Sequence, residues 1–175
     1  MTIPNLITIA RLLIVPLVIV MIGQGRWATA FVLFVVAGIS DAVDGFIAKR
    51  FDMRSEFGAY IDPLADKALL VSIYVALSVV GVLPGWLAVL VVSRDVMIVA
   101  AILLSWVMDR PVEIRPLIVS KLNTGVQIAF AALVLSTRAF AVDFGLLDEI
   151  ALLVAALTVA SAGAYLALWL RHMAA

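Results

Sequence analysis

Six long apolar runs dominate this chain, and they exclude most of the folds a protein of this length could adopt. They cover Leu12 to Gly23, Trp27 to about Ala48, Gly58 to Val80, Trp86 to Val107, Leu117 to Leu135 and Leu146 to Leu170. A helix made of such a run can cross a hydrocarbon layer of about 30 Å, because it satisfies its own backbone hydrogen bonds where water cannot. Hydrophobic residues make up 66% of the chain and the mean hydropathy is +1.22. Soluble domains manage with an apolar share of about half. The sequence therefore predicts an all-α integral membrane protein with six transmembrane helices, organised as a single domain over residues 1–175. Formal net charge is zero, so no basic tail or patch argues for a nucleic-acid partner. With no cysteine, neither a disulfide framework nor thiol chemistry is expected.

Breaks between the runs carry turn chemistry. Gly23-Gln24-Gly25-Arg26 and Gly81 to Gly85 are predicted turns. Lys49 to Glu56 is a charged loop, and Met108 to Pro116 a polar one bearing proline. At the start, Asn5, Thr8 and Arg11 recur at i, i+3, i+6 and share one side, with Pro4 where a helix start tolerates proline. Two readings fit: a short N-terminal interfacial helix, or the first turns of helix one. Pro16 is expected to kink that helix. The segment lacks the basic-then-apolar layout of a secretory signal and is expected to be retained.

Six spans put both termini on one side of the membrane. That side receives Arg11, Lys49, Arg50, Arg54, Lys67, Arg110, Arg115, Lys121 and Arg171, and the other only Arg26 and Arg138. The positive-inside rule makes the first side cytoplasmic. Trp27, Trp86, Trp106 and Trp169 fall at predicted span ends, where an aromatic belt would anchor.

The chemistry concentrates between Ser40 and Lys67. Six of the 12 acidic residues lie there: Asp41, Asp44, Asp52, Glu56, Asp62 and Asp66. Four form two close pairs, Asp41/Asp44 at i,i+3 and Asp62/Asp66 at i,i+4, so each pair occupies one helix face. Carboxylates crowded beside hydrocarbon are costly unless a cation holds them. Only oxygen ligands are on offer, which suits a hard divalent metal. By the orientation above, both pairs sit at the cytoplasmic ends of spans two and three. That location suits a substrate with a soluble head and membrane-bound tails.

The full pattern is Asp41-x-x-Asp44-Gly45-x-x-Ala48-Lys49, eight residues, then Gly58-x-x-x-Asp62-x-x-x-Asp66. It resembles the signature of the CDP-alcohol phosphotransferase family, with seven identities at fixed spacing. The family usually has Arg where this chain has Lys49. Lys keeps the charge but loses the bidentate fork. The resemblance implies an enzyme that transfers a phosphatidyl group from CDP-diacylglycerol to a hydroxyl and releases CMP. It further implies Asp41, Asp44, Asp62 and Asp66 as metal ligands, for Mg2+ or Mn2+ and two ions, with Asp66 also the general base. Asp44, Gly45, Ala48, Lys49 and Gly58 would bind the nucleotide and diphosphate, with Asn5 and Arg11 at the edge of that site. Relatives of this kind are homodimers, and a bacterial-type inner membrane is expected in preference to the mitochondrial one.

Two further polar sets interrupt apolar runs: Ser93-Arg94-Asp95 within span four, and Ser120-Lys121-Leu122-Asn123-Thr124 at the start of span five. An ionisable residue inside a span is a functional hypothesis by default. Arg94 and Asp95 are neighbours on a helix and point about 100° apart, so each is expected to reach another helix and not its neighbour. Arg94 and Lys121 are the candidates for the acceptor's phosphate. The two stretches look like those of the family's CMP-forming cardiolipin synthases, whose acceptor is phosphatidylglycerol. Glycerol 3-phosphate, giving phosphatidylglycerol phosphate, is the alternative acceptor. A cation-binding membrane transporter is the different-class alternative; clustering of the acids at one membrane face, and no inverted hydropathy repeat, argue against it.

Overall fold

The computed structural model describes the backbone of residues 3–50, 56–108 and 117–174. Side chains are described for residues 10, 12–40, 43, 67–105, 107–108 and 117–173. Every regular element in it is a helix: α1 (Ile3–Gly23), α2 (Trp27–Arg50), α3 (Glu56–Val79), α4 (Gly85–Val107), α5 (Ile118–Phe140) and α6 (Leu147–Ala174). Each predicted span coincides with one helix. Gly85–Ser105, Ile118–Phe140 and Leu147–Met173 are each long and apolar enough to cross a membrane. Among the described residues, the apolar stretches of the other three helices run Leu12–Gly23, Trp27–Ser40 and Lys67–Val79.

The N-terminus is one continuous helix, Ile3–Gly23, not an interfacial helix followed by a span. Nothing between Ile9 and Leu12 breaks a helix, and Pro4 lies in the first turn, where its missing N–H costs nothing. Pro16 is accommodated inside the helix.

The turns explain how three helices end. Gly25, Gly81 and Ala141 all have positive φ, at 69°, 75° and 52°. After each, a backbone N–H reaches back to the helix end: Arg26 to Met21 at 2.9 Å, Val82 to Leu77 at 2.9 Å and Val142 to Thr137 at 3.0 Å. This is the Schellman arrangement, which satisfies otherwise orphaned carbonyls through a left-handed residue. α1, α3 and α5 therefore stop by the same device, and in α5 an alanine occupies the strained position.

Two compact units emerge. The first takes Met1–Leu83 with Ala131–Phe144, and the second Pro84–Phe130 with Gly145–Ala175. In the first, α1 lies against both α2 and α3. Its core is Val15, Val18 and Ile22 of α1, Ala30, Phe34 and Ala37 of α2, and Leu70, Ile73, Tyr74 and Leu77 of α3, all buried. Phe140 meets Phe31 edge-on, ring centroids 5.8 Å apart. In the second, α4 lies against α6. Large exposed side chains such as Leu103, Val107, Leu152 and Leu170 cover its outer faces, which suits a surface solvated by lipid.

Candidate functional site

In the first unit the buried stripes of three helices point to the acids by register. On α2, Ala30, Phe34 and Ala37 are buried, and their 3.6-residue spacing continues to positions 41 and 44. On α3, buried Leu77, Ile73 and Leu70 continue backwards to 66 and 62. On α1, Ile22, Val18 and Val15 continue to 11. Positions 41, 44, 62, 66 and 11 thus continue the backbone register of the buried stripes of their helices. Asn5 is on α1, about 100° around from that stripe.

Depth agrees as well as direction. Ile19 and Gly23 share one groove with Val71, Ser72, Val75, Ala76, Val79 and Val80, which sets the end of α1 level with the end of α3 to within about one turn. From those ends, at 1.5 Å per residue, position 11 is about 18 Å down α1, 41 about 21 Å down α2 and 66 about 20 Å down α3. Positions 44 and 62 both lie at about 26 Å. The register produces two tiers of paired carboxylate positions, 41 with 66 and 44 with 62. Gly45, Ala48 and Lys49 occupy the last turns of α2, and Gly58 the first turn of α3. The side chains of all these site residues, Asn5 and Arg11 included, lie outside the described residues.

The second unit holds a buried polar seam between α4, α5 and α6. Arg94 of α4 is only 4% exposed. Its Nε and Nη2 donate to Ser161 Oγ of α6, at 3.3 and 2.9 Å. Nη2 also donates to Ser120 Oγ of α5, and Nη1 to Asp95 Oδ1 at 2.6 Å. The guanidinium carbon stands 5.9 Å from the centre of the Tyr165 ring, within cation–π range. One turn along, Gln127 Nε2 donates to Thr158 Oγ at 3.0 Å, and the Thr158 hydroxyl lies 3.0 Å from Asn123 Oδ1 and 2.7 Å from the Val154 carbonyl. Asn123 Nδ2 is buried without a hydrogen-bond partner among the described residues. Near the C-terminal ends, the Trp169 indole N–H of α6 meets Ser105 Oγ and the Ala101 carbonyl of α4, at 2.8 and 3.1 Å.

These contacts fix relative directions. Arg94 pairs with Ser161 and Ser105 with Trp169, so α4 and α6 run parallel. Ser120 pairs with the level of Ser161 and Gln127 with Thr158, so α5 runs against them. From the Arg94 level, α4 and α6 each continue 13 residues, about 20 Å, whereas α5 begins two residues, about 3 Å, from Ser120. The α4/α6 pair therefore projects roughly 16 Å past the start of α5.

Three sequence readings change here. Arg94 and Asp95 do pair with each other, although Arg94 also reaches two other helices as expected. The long guanidinium arm bends back along the helix, where a short side chain could not. Lys121 is exposed while its neighbour Ser120 is the one facing Arg94; the two cations do not share a lining. Trp169 turns its N–H inward to α4 instead of toward a headgroup layer; Trp86 is half exposed, as an anchor would be, and the side chain of Trp106 lies outside the described residues. Sequence reasoning missed Gln127, Thr158, Ser161 and Tyr165. The signal was present as two small polar stripes at i, i+3, i+7: Ser120, Asn123 and Gln127 on α5, and Thr158, Ser161 and Tyr165 on α6.

Comparison with known proteins gives the same direction. Residues 1–163 match the family model described as CDP-alcohol phosphatidyltransferase. A Drosophila melanogaster protein named "Probable cardiolipin synthase (CMP-forming)" is 37% identical over 145 residues, covering 74% of this chain and 45% of the relative. The human "Cardiolipin synthase (CMP-forming)" is 32% identical over 155 residues, covering 79% of this chain and 52% of the relative. A rice protein named "CDP-diacylglycerol--glycerol-3-phosphate 3-phosphatidyltransferase 1, chloroplastic" is 30% identical over 184 residues, covering 94% of this chain and 56% of the relative. The chain spans about half the length of these relatives.

Proposed function

Because the chain belongs to the CDP-alcohol phosphatidyltransferase family, we propose that it transfers a phosphatidyl group from CDP-diacylglycerol to a glycerol hydroxyl and releases CMP. Phosphatidylglycerol is the acceptor and cardiolipin the product. What supports this reading is the backbone register of α2 and α3, which carries positions 41, 44, 62 and 66 in line with the buried stripes of those helices and at matching depths. Residues 1–175 act as one catalytic domain, placed in a bacterial-type inner membrane with the site open to the cytoplasm and assembled as a homodimer.

The family is generally dependent on divalent metal. A donor set of four carboxylates and no softer ligand fits Mg2+ or Mn2+. Asp41, Asp44 and Asp62, with Asp66 at their edge, would hold two such ions, whose charge would offset that of the diphosphate. Lys49 supplies a point charge to the same diphosphate, and Gly45, Ala48 and Gly58 leave room for backbone approach. Arg11 and Asn5 stand at the edge of that site on α1. Asp66 accepts the proton of the acceptor hydroxyl as its oxygen bonds to the β-phosphorus, the one carrying diacylglycerol. The bond from that phosphorus to the bridging oxygen breaks, and CMP departs with that oxygen. Arg94 contacts the acceptor's phosphate, and Lys121, exposed beside Ser120, does not share that contact.

The test is CMP release by the purified protein in detergent from CDP-diacylglycerol and phosphatidylglycerol. Chelation should abolish release and added Mg2+ or Mn2+ should restore it. CDP-diacylglycerol left intact under all these conditions would refute the proposal.

A further inference from the structure

A guanidinium carries five N–H donors. In Arg94, Nε–H goes to Ser161, the two Nη2 hydrogens to Ser161 and Ser120, and one Nη1 hydrogen to Asp95. One Nη1 hydrogen has no partner among the described residues. Tyr165 covers a face of the group, and Asp95 balances its charge at 2.6 Å. Ser120, which accepts from Nη2, is half-buried in the first turn of α5. What this arrangement offers a ligand is a single hydrogen bond and little net charge. Lys121, the cation next to Ser120 in the sequence, is exposed.

We propose that Asp95, Ser120 and Ser161 set acceptor specificity by occupying Arg94, so that it reads a phosphodiester and discriminates against a phosphomonoester. A phosphodiester carries one negative charge and needs only one good contact on a free oxygen. A phosphomonoester carries nearly two charges and is best held by an open, bidentate guanidinium edge. The Ser161 hydroxyl blocks the edge formed by Nε and Nη2, and Asp95 cancels the charge. Asp95, Ser120 and Ser161 are positioning residues that act through Arg94. This inference rests on the proposed acceptor chemistry and assigns a role to α6, which carries none of the signature.

The experiment compares kcat/KM for phosphatidylglycerol and for glycerol 3-phosphate in purified wild-type protein, Asp95→Asn, Ser161→Ala and Ser161→Thr. The wild type should prefer phosphatidylglycerol. Asp95→Asn uncovers the charge and Ser161→Ala opens the edge, so each should shift the ratio at least tenfold toward glycerol 3-phosphate, mainly by lowering its KM. Ser161→Thr retains the hydroxyl and should keep the wild-type ratio. A purely structural role would lower kcat for both acceptors together. If the wild type prefers phosphatidylglycerol but both ratios stay put, the inference falls and the proposed function stands. If the wild type prefers glycerol 3-phosphate, the assignment of phosphatidylglycerol falls and the inference with it. Thermal unfolding of each variant in detergent identifies any that fails to fold, and the two loss variants alter different contacts, so one suffices to decide.

Discussion

Inserting one alanine between Lys67 and Ala68 tests the register argument directly. Residues 68–79 keep their places against α1, because the buried stripe Leu70, Ile73 and Leu77 lies wholly on one side of the insertion. Residues 62 and 66 must each move to the place of a helical neighbour. That displaces every Cα in the segment by one Cα–Cα step, about 3.8 Å, and turns both acids about 100° off the interior face. A misplacement of about 1 Å can already cost on the order of a hundredfold in rate. The inserted protein should therefore lose at least about a thousandfold in CMP release while its melting temperature in detergent barely moves. The insertion falls at the junction with the acid-bearing segment, so the apolar stretch Lys67–Val79 remains long enough to pack. Asp52→Asn and Glu56→Gln, in acids outside the signature, should stay active. An insertion variant with wild-type activity would show that the acids do not act from the face the buried stripes define.

Three other outcomes are expected. Asp66→Asn should lower turnover by about a hundredfold or more while leaving CDP-diacylglycerol binding measurable, as loss of a general base would; equal loss in Glu56→Gln would contradict the assignment. Ala141→Gly relieves the one left-handed non-glycine residue among the described residues and should stabilise by about 0.5–1 kcal/mol, a rise of about 2 °C in melting temperature; a fall would refute the cap reading. Trp169→Phe removes the indole N–H that joins α6 to Ser105 and Ala101 and should cost about 0.6 kcal/mol, the average for hydrogen bonds between membrane helices, and no more than about 1.7. No loss would mean that the link is not holding the projecting ends of α4 and α6 together.

Much of the fold was legible in the sequence because a membrane helix is written in a single variable. Apolar run length placed all six helices, with every boundary but the start of α1 within five residues, and Gly25 and Gly81 announced two of the three turns. Of the two readings open for the N-terminus, the first turns of helix one is the one found, since a change of polarity alone does not stop a helix; only backbone chemistry does. The α5 cap was invisible because Ala141 has no turn propensity, and its conformation follows from the Schellman hydrogen bond to Thr137. The acid positions could be read from spacing, but their shared depth required knowing that Gly23 and Val79 are level. Arg94 was singled out as an ionisable residue inside a span. Its partners were not, because Ser161, Thr158 and Gln127 are unremarkable singly and gain meaning only when α5 and α6 are set side by side. The Arg94–Asp95 pair was discounted on helix geometry that holds for short side chains and fails for a flexible arginine.

The central claim is a transfer, with one CMP released for each phosphatidyl group moved. Purified protein supplied with CDP-diacylglycerol, isotopically labelled phosphatidylglycerol and Mg2+ or Mn2+ should yield labelled cardiolipin and CMP in equal amounts. Both products should disappear together in Asp66→Asn. Labelled cardiolipin formed without CMP, or CMP formed while the label stays in phosphatidylglycerol, would contradict the account.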